Sequence, residues 1–170
     1  NYIKAKANIF KNNRQNQYFI TAIDDDATCQ IANKLTNYIS LSQQKKTANI
    51  YADDNFINIY AEKFPFIFSE FTHCGNKINI LAVFALAKIL HINFTKLVKD
   101  ISSFKSLPHR MELIGKIKNI KFFNDSKATN AESSYNAINQ LNDIYWIAGG
   151  IAKDKGIEII LPKLHNVKKI

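Results

Sequence analysis

The chain has 170 residues, of which 46% are hydrophobic and 22% charged; this composition supports folded cores in one modest domain or two small ones and excludes disorder as the main state. The net charge is +9, but the basic residues are scattered instead of clustered among aromatics, so we expect no nucleic-acid partner. The longest apolar stretch, residues 80–87, is too short to insert in a membrane, and two cysteines are too few for a disulfide framework, which favours a cytoplasmic protein.

The first hundred residues are predicted to alternate strands and helices. Residues 2–10 read as an amphipathic helix whose apolar face has Lys6 at its centre. A strand at 18–23 ends in three aspartates, of which Asp25 or Asp26 is suited to cap the next helix. Two short strands at 48–51 and 56–60 predict a hairpin, because a turn-like segment separates them.

Two helices complete this part, an alanine-rich one from Gly75 to about Leu90 and a shorter one at 94–101. Serine, lysine and proline then interrupt the pattern at 102–108, so we place a domain boundary there and expect domains at 1–103 and 104–170.

The second part has its own strand and helix pattern. Strands are expected at 111–117 and 120–124 around a tight Lys118-Asn119 turn, then a helix to about Leu141, a strand at 144–147 and a last helix near Ile157. This alternation predicts an α/β fold with a largely parallel sheet.

The segment 124–130 is the strongest candidate for a binding site. It joins a strand to a helix whose start is marked by Thr129 and Glu132, the spacing of a capping box. Such junctions hold anionic ligands because free backbone N–H groups and the helix dipole favour negative charge. Asp125 is suited to a ribose hydroxyl or a metal, and Lys127 to a phosphate or carboxylate; an ordinary capped loop is the alternative.

Arginine is used at only two positions, Arg14 and Arg110. Because lysine is otherwise preferred in this chain, the planar, bidentate group of Arg110 suggests contact with a nucleotide phosphate. The alternative is a surface pair between Arg110 and Glu112, which would contribute little stability. Gly149-Gly150 followed by Lys153 is a weaker sign of a ligand approaching the backbone.

Two further positions carry open alternatives. Asn76 and Asn79 lie one turn apart at the start of the alanine-rich helix, so both amides can read a base or a ribose, or simply cap the helix. Lys6 is predicted to lie on an apolar face, where loss of hydration favours the neutral amine that carbamylation requires. The alternative is that its side chain extends to solvent.

Taken in order, these segments resemble the Mur ligase family, in particular its D-glutamate-adding branch. The resemblance rests on residues 2–10, on Asn76 and Asn79, on 107–112, and on 124–130 with the later Gly149-Gly150 and Lys153. It implies an α/β chain made of the end of a central Mur-ligase ATPase domain followed by the start of a Rossmann-like carboxyl-terminal domain. Because residue 1 is Asn, we expect a piece of a longer protein. Because the family's ATP-binding loop is missing, we expect this piece to be inactive alone.

The resemblance implies an ATP-dependent amide ligase of peptidoglycan synthesis, and hence of cell-wall formation, cell shape and division. Its substrates would be UDP-N-acetylmuramoyl-L-alanine and D-glutamate, its cofactors ATP and Mg²⁺, and its intermediate an acyl phosphate. The implied roles are nucleotide binding by Asn76, Asn79, Arg110 and Asp125, catalysis by Lys127, Thr129 and Lys153, and metal binding by Lys6 as a carbamylated lysine.

The chain also departs from the family. It contains no Gly-Lys-Thr/Ser phosphate loop, and it reads His73-Cys74-Gly75-Asn76 where the family usually has Gly-x-His-Asn. These departures keep open a second hypothesis, a non-catalytic remnant or split-gene piece that binds a partner chain.

Overall fold

The computed structural model describes residues 2–11, 17–53, 55–67, 77–104, 107–151 and 157–170. The chain divides into two compact units, with the main boundary between Ser103 and Phe104. Buried hydrophobic residues occur in both units, most of them in the first.

The first unit is built on a five-stranded mixed sheet with the strand order β1-β2-β3-β4-β5. The β1, β2 and β3 strands are parallel, whereas β3, β4 and β5 pair in antiparallel fashion. Their bounds are β1 Phe19–Ala22, β2 Tyr38–Ser42, β3 Ile50–Ala52, β4 Phe56–Ile59 and β5 Glu62–Pro65. The predicted hairpin is confirmed as β3 and β4, while sequence reasoning missed β2 and β5.

Helices cover this sheet. The helix α1 (Tyr2–Ala7) continues into a 3-10 turn, α2 (Asp26–Ala32) connects β1 to β2, and α3 (Lys77–Ile89) and α4 (Phe94–Ser102) follow β5. The carboxylate of Asp25 caps α2 by accepting a hydrogen bond from Thr28 N at 2.9 Å, which confirms the predicted cap.

The core of the first unit lies between α3 and the sheet. Leu81 and Phe84 of α3 are fully buried against Ile50, Ile57 and Ile59 of β3 and β4. The ring of Phe84 also contacts the rings of Phe66 and Phe94, with centroids 6.0 and 5.7 Å away. Burial of these large apolar side chains stabilises the first unit.

The second unit pairs a β-hairpin with a helical layer. The hairpin consists of β6 (Glu112–Ile117) and β7 (Ile120–Asn124), followed by α5 (Ala131–Gln140), β8 (Ile144–Tyr145), a 3-10 helix (Glu158–Asn166) and β9 (Val167–Lys169). The α5 helix and the 3-10 helix pack against each other, and each has a buried isoleucine, Ile138 and Ile160.

The expectation of a largely parallel sheet is wrong in detail. In the second unit β8 and β9 are parallel, but β6 and β7 are antiparallel, and the first unit is mixed. A two-residue turn such as Lys118-Asn119 can only join antiparallel strands, because a parallel pair needs a crossover of a dozen residues or more. The broader α/β prediction is confirmed.

Candidate functional site

The site predicted in the second unit is formed by two loops that hydrogen-bond to each other. One loop, residues 107–111, precedes β6, and the other, residues 125–130, connects β7 to α5. Asp125 Oδ1 accepts a hydrogen bond from Met111 N at 3.0 Å, and Lys127 N donates to His109 O at 3.0 Å. These bonds place Arg110, Asp125 and Lys127, which are separate in sequence, at one end of the hairpin.

Asp125 is the half-buried carboxylate of this site. Its burial disfavours the charged form and raises the pKa of the carboxyl group, and this effect outweighs the opposing effects of the Met111 N–H and the positive charge of Arg110. The charge of Arg110 therefore acts on Asp125. The described contacts of Glu112 are with His109: its Oε2 accepts a hydrogen bond from His109 N at 2.8 Å and lies 3.8 Å from His109 Nδ1.

Lys127 and Thr129 lie in the turn that leads into α5, and both are exposed. Thr129 N donates to Lys127 O at 2.9 Å, and Ala128 N donates to Asp125 O at 2.8 Å. These bonds hold the loop backbone, while the exposed side chain of Lys127 is accessible to an anionic ligand.

The predicted capping box is wrong by one residue. Because Thr129 N is bonded within the turn, the helix begins later, and Asn130 caps α5 by accepting a hydrogen bond from Ser133 N at 2.8 Å. Glu132 lies in the first turn, where the positive end of the helix dipole stabilises its negative charge.

Asn79 lies apart from this set, on α3 of the first unit. It is exposed and borders an open groove of about 430 Å³ between α3 and the strands β1 and β2. Most of the lining is apolar, including Ile20, Leu41 and Val83, so Asn79 supplies a polar group at the edge of an apolar surface.

Three predicted site residues cannot be placed. Asn76 and Lys153 lie outside the described residues, as does the His73-Cys74-Gly75 segment. Lys6 belongs to α1, but its side chain lies outside what the structure describes. Gly150, three residues before Lys153 in the sequence, has a φ of +123°, a conformation that favours glycine.

Within the described ranges, no group of three or more His, Cys, Asp or Glu side chains is arranged to hold a metal ion. Nor does any helix in those ranges have the length and apolarity needed to cross a membrane.

Sequence reasoning missed the side chains that join the two loops. Asn124 Nδ2 lies 2.8 Å from His109 Nδ1, a contact that no local pattern announces because fifteen residues separate the two. The loop conformation was also unpredictable, since His109 and Met111 adopt positive φ values of 64° and 46°, which are uncommon for residues other than glycine.

Comparison with known proteins gives a consistent result. No protein-family model matches the chain. The UDP-N-acetylmuramoylalanine--D-glutamate ligase of Rickettsia prowazekii is 40% identical over 176 residues, which cover 99% of this chain and 39% of the relative. The enzyme of the same name from the Wolbachia of Brugia malayi is 36% identical over 178 residues, or 99% of this chain and 34% of the relative.

A solved structure matches the fold. The crystal structure of MurF from Acinetobacter baumannii superposes with a TM-score of 0.66 at 18% identity, covering 82% of this chain and 32% of that one. The fold is therefore that of the Mur ligases.

Over 99% of its length, the chain is similar in sequence to part of the UDP-N-acetylmuramoylalanine--D-glutamate ligases. It spans about two fifths of the length of the curated relatives it matches. The resemblance predicted from the motifs is confirmed.

Proposed function

We propose that this chain supplies the nucleotide-facing and reaction-facing loops of a cytoplasmic, ATP-dependent ligase that joins D-glutamate to UDP-N-acetylmuramoyl-L-alanine in peptidoglycan synthesis. The observation that carries the proposal is the pair of bonded loops, because it brings an arginine, a half-buried carboxylate and an exposed lysine together. Homology over nearly the whole chain to ligases of that name supports the choice of substrates.

Each residue has a role that its surroundings suit. Arg110 offers bidentate hydrogen bonds to a phosphate group. Asp125, whose burial favours accepting a proton, is a good acceptor for a ribose hydroxyl of the nucleotide. Asn79, on the alanine-rich helix, and Asn76 are also proposed to bind nucleotide.

In the proposed reaction, ATP transfers its terminal phosphoryl group to the carboxylate of the alanyl substrate, and ADP leaves. The amine of D-glutamate attacks the resulting acyl phosphate, the tetrahedral intermediate collapses, and phosphate leaves as the amide forms. Lys127, with Lys153 and Thr129, is proposed to face this centre, where a fixed cation stabilises the developing negative charge.

Mg²⁺ would neutralise phosphate charge when bound, and we propose that Lys6, as a carbamylated lysine, is one of its ligands. The donor chemistry fits, since a carbamate presents the oxygen ligands that this ion prefers.

The test is a chimeric enzyme in which this chain replaces the matched segment of the R. prowazekii ligase. Arg110→Ala is expected to raise the KM for ATP by about tenfold, the loss of a charge-assisted hydrogen bond, and Lys116→Ala, an exposed lysine on the hairpin, is the matched control. An unchanged KM for ATP in Arg110→Ala would refute the nucleotide assignment.

A second candidate is a non-catalytic remnant or split-gene piece that binds a partner chain. Fully exposed apolar side chains such as Ile147 favour it. Co-expression with the two flanking segments of the R. prowazekii ligase separates these cases, because restored ligation indicates a split enzyme and stable binding without ligation indicates a remnant.

A further inference from the structure

The side chain of Asn124 has a fixed orientation. Its Oδ1 accepts a hydrogen bond from Ser126 N at 3.2 Å, and a backbone N–H can only donate, so the amide nitrogen is the atom that faces His109. That nitrogen lies 2.8 Å from His109 Nδ1. Because a carboxamide nitrogen also only donates, this contact is a hydrogen bond in the tautomer whose Nδ1 carries no proton. Glu112 Oε2 lies farther from the same nitrogen, at 3.8 Å.

The loop that this bond restrains is conformationally costly. His109 and Met111 both have positive φ values, and Arg110 lies between them. Such conformations persist when surrounding contacts determine them. Three contacts do so here. The ring of His109 contacts Asn124, the carbonyl of His109 accepts from Lys127 N, and the N–H of Met111 donates to Asp125.

We propose that Asn124 is a positioning residue, which holds the loop of Arg110 against the loop of Asp125 and Lys127 through a hydrogen bond from its amide nitrogen to His109 Nδ1. The proposal rests on the proposed function, because the groups it positions are those assigned to the nucleotide and the reacting centre. Asn124 itself is not assigned a contact with substrate. The hydrogen bonds on both sides of Arg110 limit the directions in which its backbone can move.

The bond can be tested without any activity, in the 170-residue chain. Proton–nitrogen NMR correlation of the His109 ring at about pH 8, where an ordinary imidazole is neutral, is expected to show the Nε2–H tautomer. Asn124→Asp keeps the acceptor for Ser126 N but replaces the donor with an acceptor, so His109 is expected to move its proton to Nδ1. Asn119→Asp, in the Lys118-Asn119 turn, adds the same charge and is expected to leave the tautomer unchanged.

An Nδ1–H tautomer in the wild-type chain would overturn the proposal, and so would a tautomer that Asn124→Asp does not change. Either result would leave the proposed function standing, since it depends on Arg110, Asp125 and Lys127 and not on the ring of His109.

The positioning role is tested in the chimeric ligase. Asn124→Ala is expected to raise the KM for ATP by about fivefold, the factor that one neutral hydrogen bond supplies, with a smaller change in kcat. His109→Asn is expected to retain the wild-type KM, because Asn tolerates positive φ and its Oδ1 replaces the Nδ1 acceptor. His109→Ala has no acceptor and is expected to match Asn124→Ala.

Equal KM values for Asn124→Ala and wild type, or equal losses in His109→Asn and His109→Ala, would overturn the positioning role. A folded chimera that binds no nucleotide would instead contradict the proposed function, while the tautomer experiment would still decide whether the bond exists.

Discussion

Replacing Asn130 with alanine removes the side-chain cap of α5 at the edge of the candidate site. The lost interaction is a single hydrogen bond of 2.8 Å between Asn130 Oδ1 and Ser133 N at an exposed helix start. Caps of this kind contribute about 1 kcal/mol, so the folding equilibrium of the second unit should fall by about fivefold. Thr129→Ala is the matched control, because the only hydrogen bond described for Thr129 uses its backbone N–H, which alanine keeps.

The assay is urea unfolding followed by the fluorescence of Trp146, the single tryptophan, which lies in the second unit. With a denaturant slope of about 1.5 kcal/mol/M, the loss of about 1 kcal/mol lowers the midpoint by about 0.7 M. Thr129→Ala is expected to stay within about 0.5 kcal/mol of wild type. A larger loss in Thr129→Ala than in Asn130→Ala would refute the assignment of the cap.

Three other perturbations have defined outcomes. Folding raises the pKa of Asp125, so the wild-type chain binds this proton more tightly when folded and loses stability as pH rises from the unfolded pKa to the raised folded one. In urea titrations, Asp125→Asn should therefore gain stability relative to wild type as pH rises above the ordinary aspartate pKa of about 4. A relative loss of stability over that rise would contradict this. Ile160→Ala, at a fully buried position, should cost about 2–5 kcal/mol by Trp146 fluorescence, whereas the exposed Ile159→Ala should cost much less. Phe84→Ala should cost about 3–5 kcal/mol by circular dichroism of the first unit, and a loss below 1 kcal/mol would argue against the core described for it.

The sequence was sufficient for elements with strong local signals. The α3 helix was predictable from an apolar run between Asn76 and Lys88, and the Asp25 cap from an acidic cluster after a strand. The hairpin of β6 and β7 was predictable from its two-residue turn.

Features set by tertiary contacts were not predictable. The strand β5 carries exposed Glu62 and Lys63 and pairs with β4. The hydrophobic pattern of its sequence does not predict this pairing. The cap of α5 moved to Asn130 because a turn hydrogen bond occupies Thr129 N. For the site, the motif residues were visible in the sequence, but the Asn124 to His109 contact that joins their loops links residues fifteen positions apart, which the hairpin pairing brings together.

The most direct test is whether the chimeric R. prowazekii ligase that contains this chain forms the amide product. The measurement is phosphate release that requires both UDP-N-acetylmuramoyl-L-alanine and D-glutamate, with the product identified by mass spectrometry. The account predicts that the chimera forms the product. Lys127→Ala is expected to lower the rate at least about a hundredfold, as when a transition-state charge partner is removed, and Lys116→Ala is expected to change the rate little. A folded chimera that forms no product, or one in which Lys127→Ala retains the full rate, would contradict it.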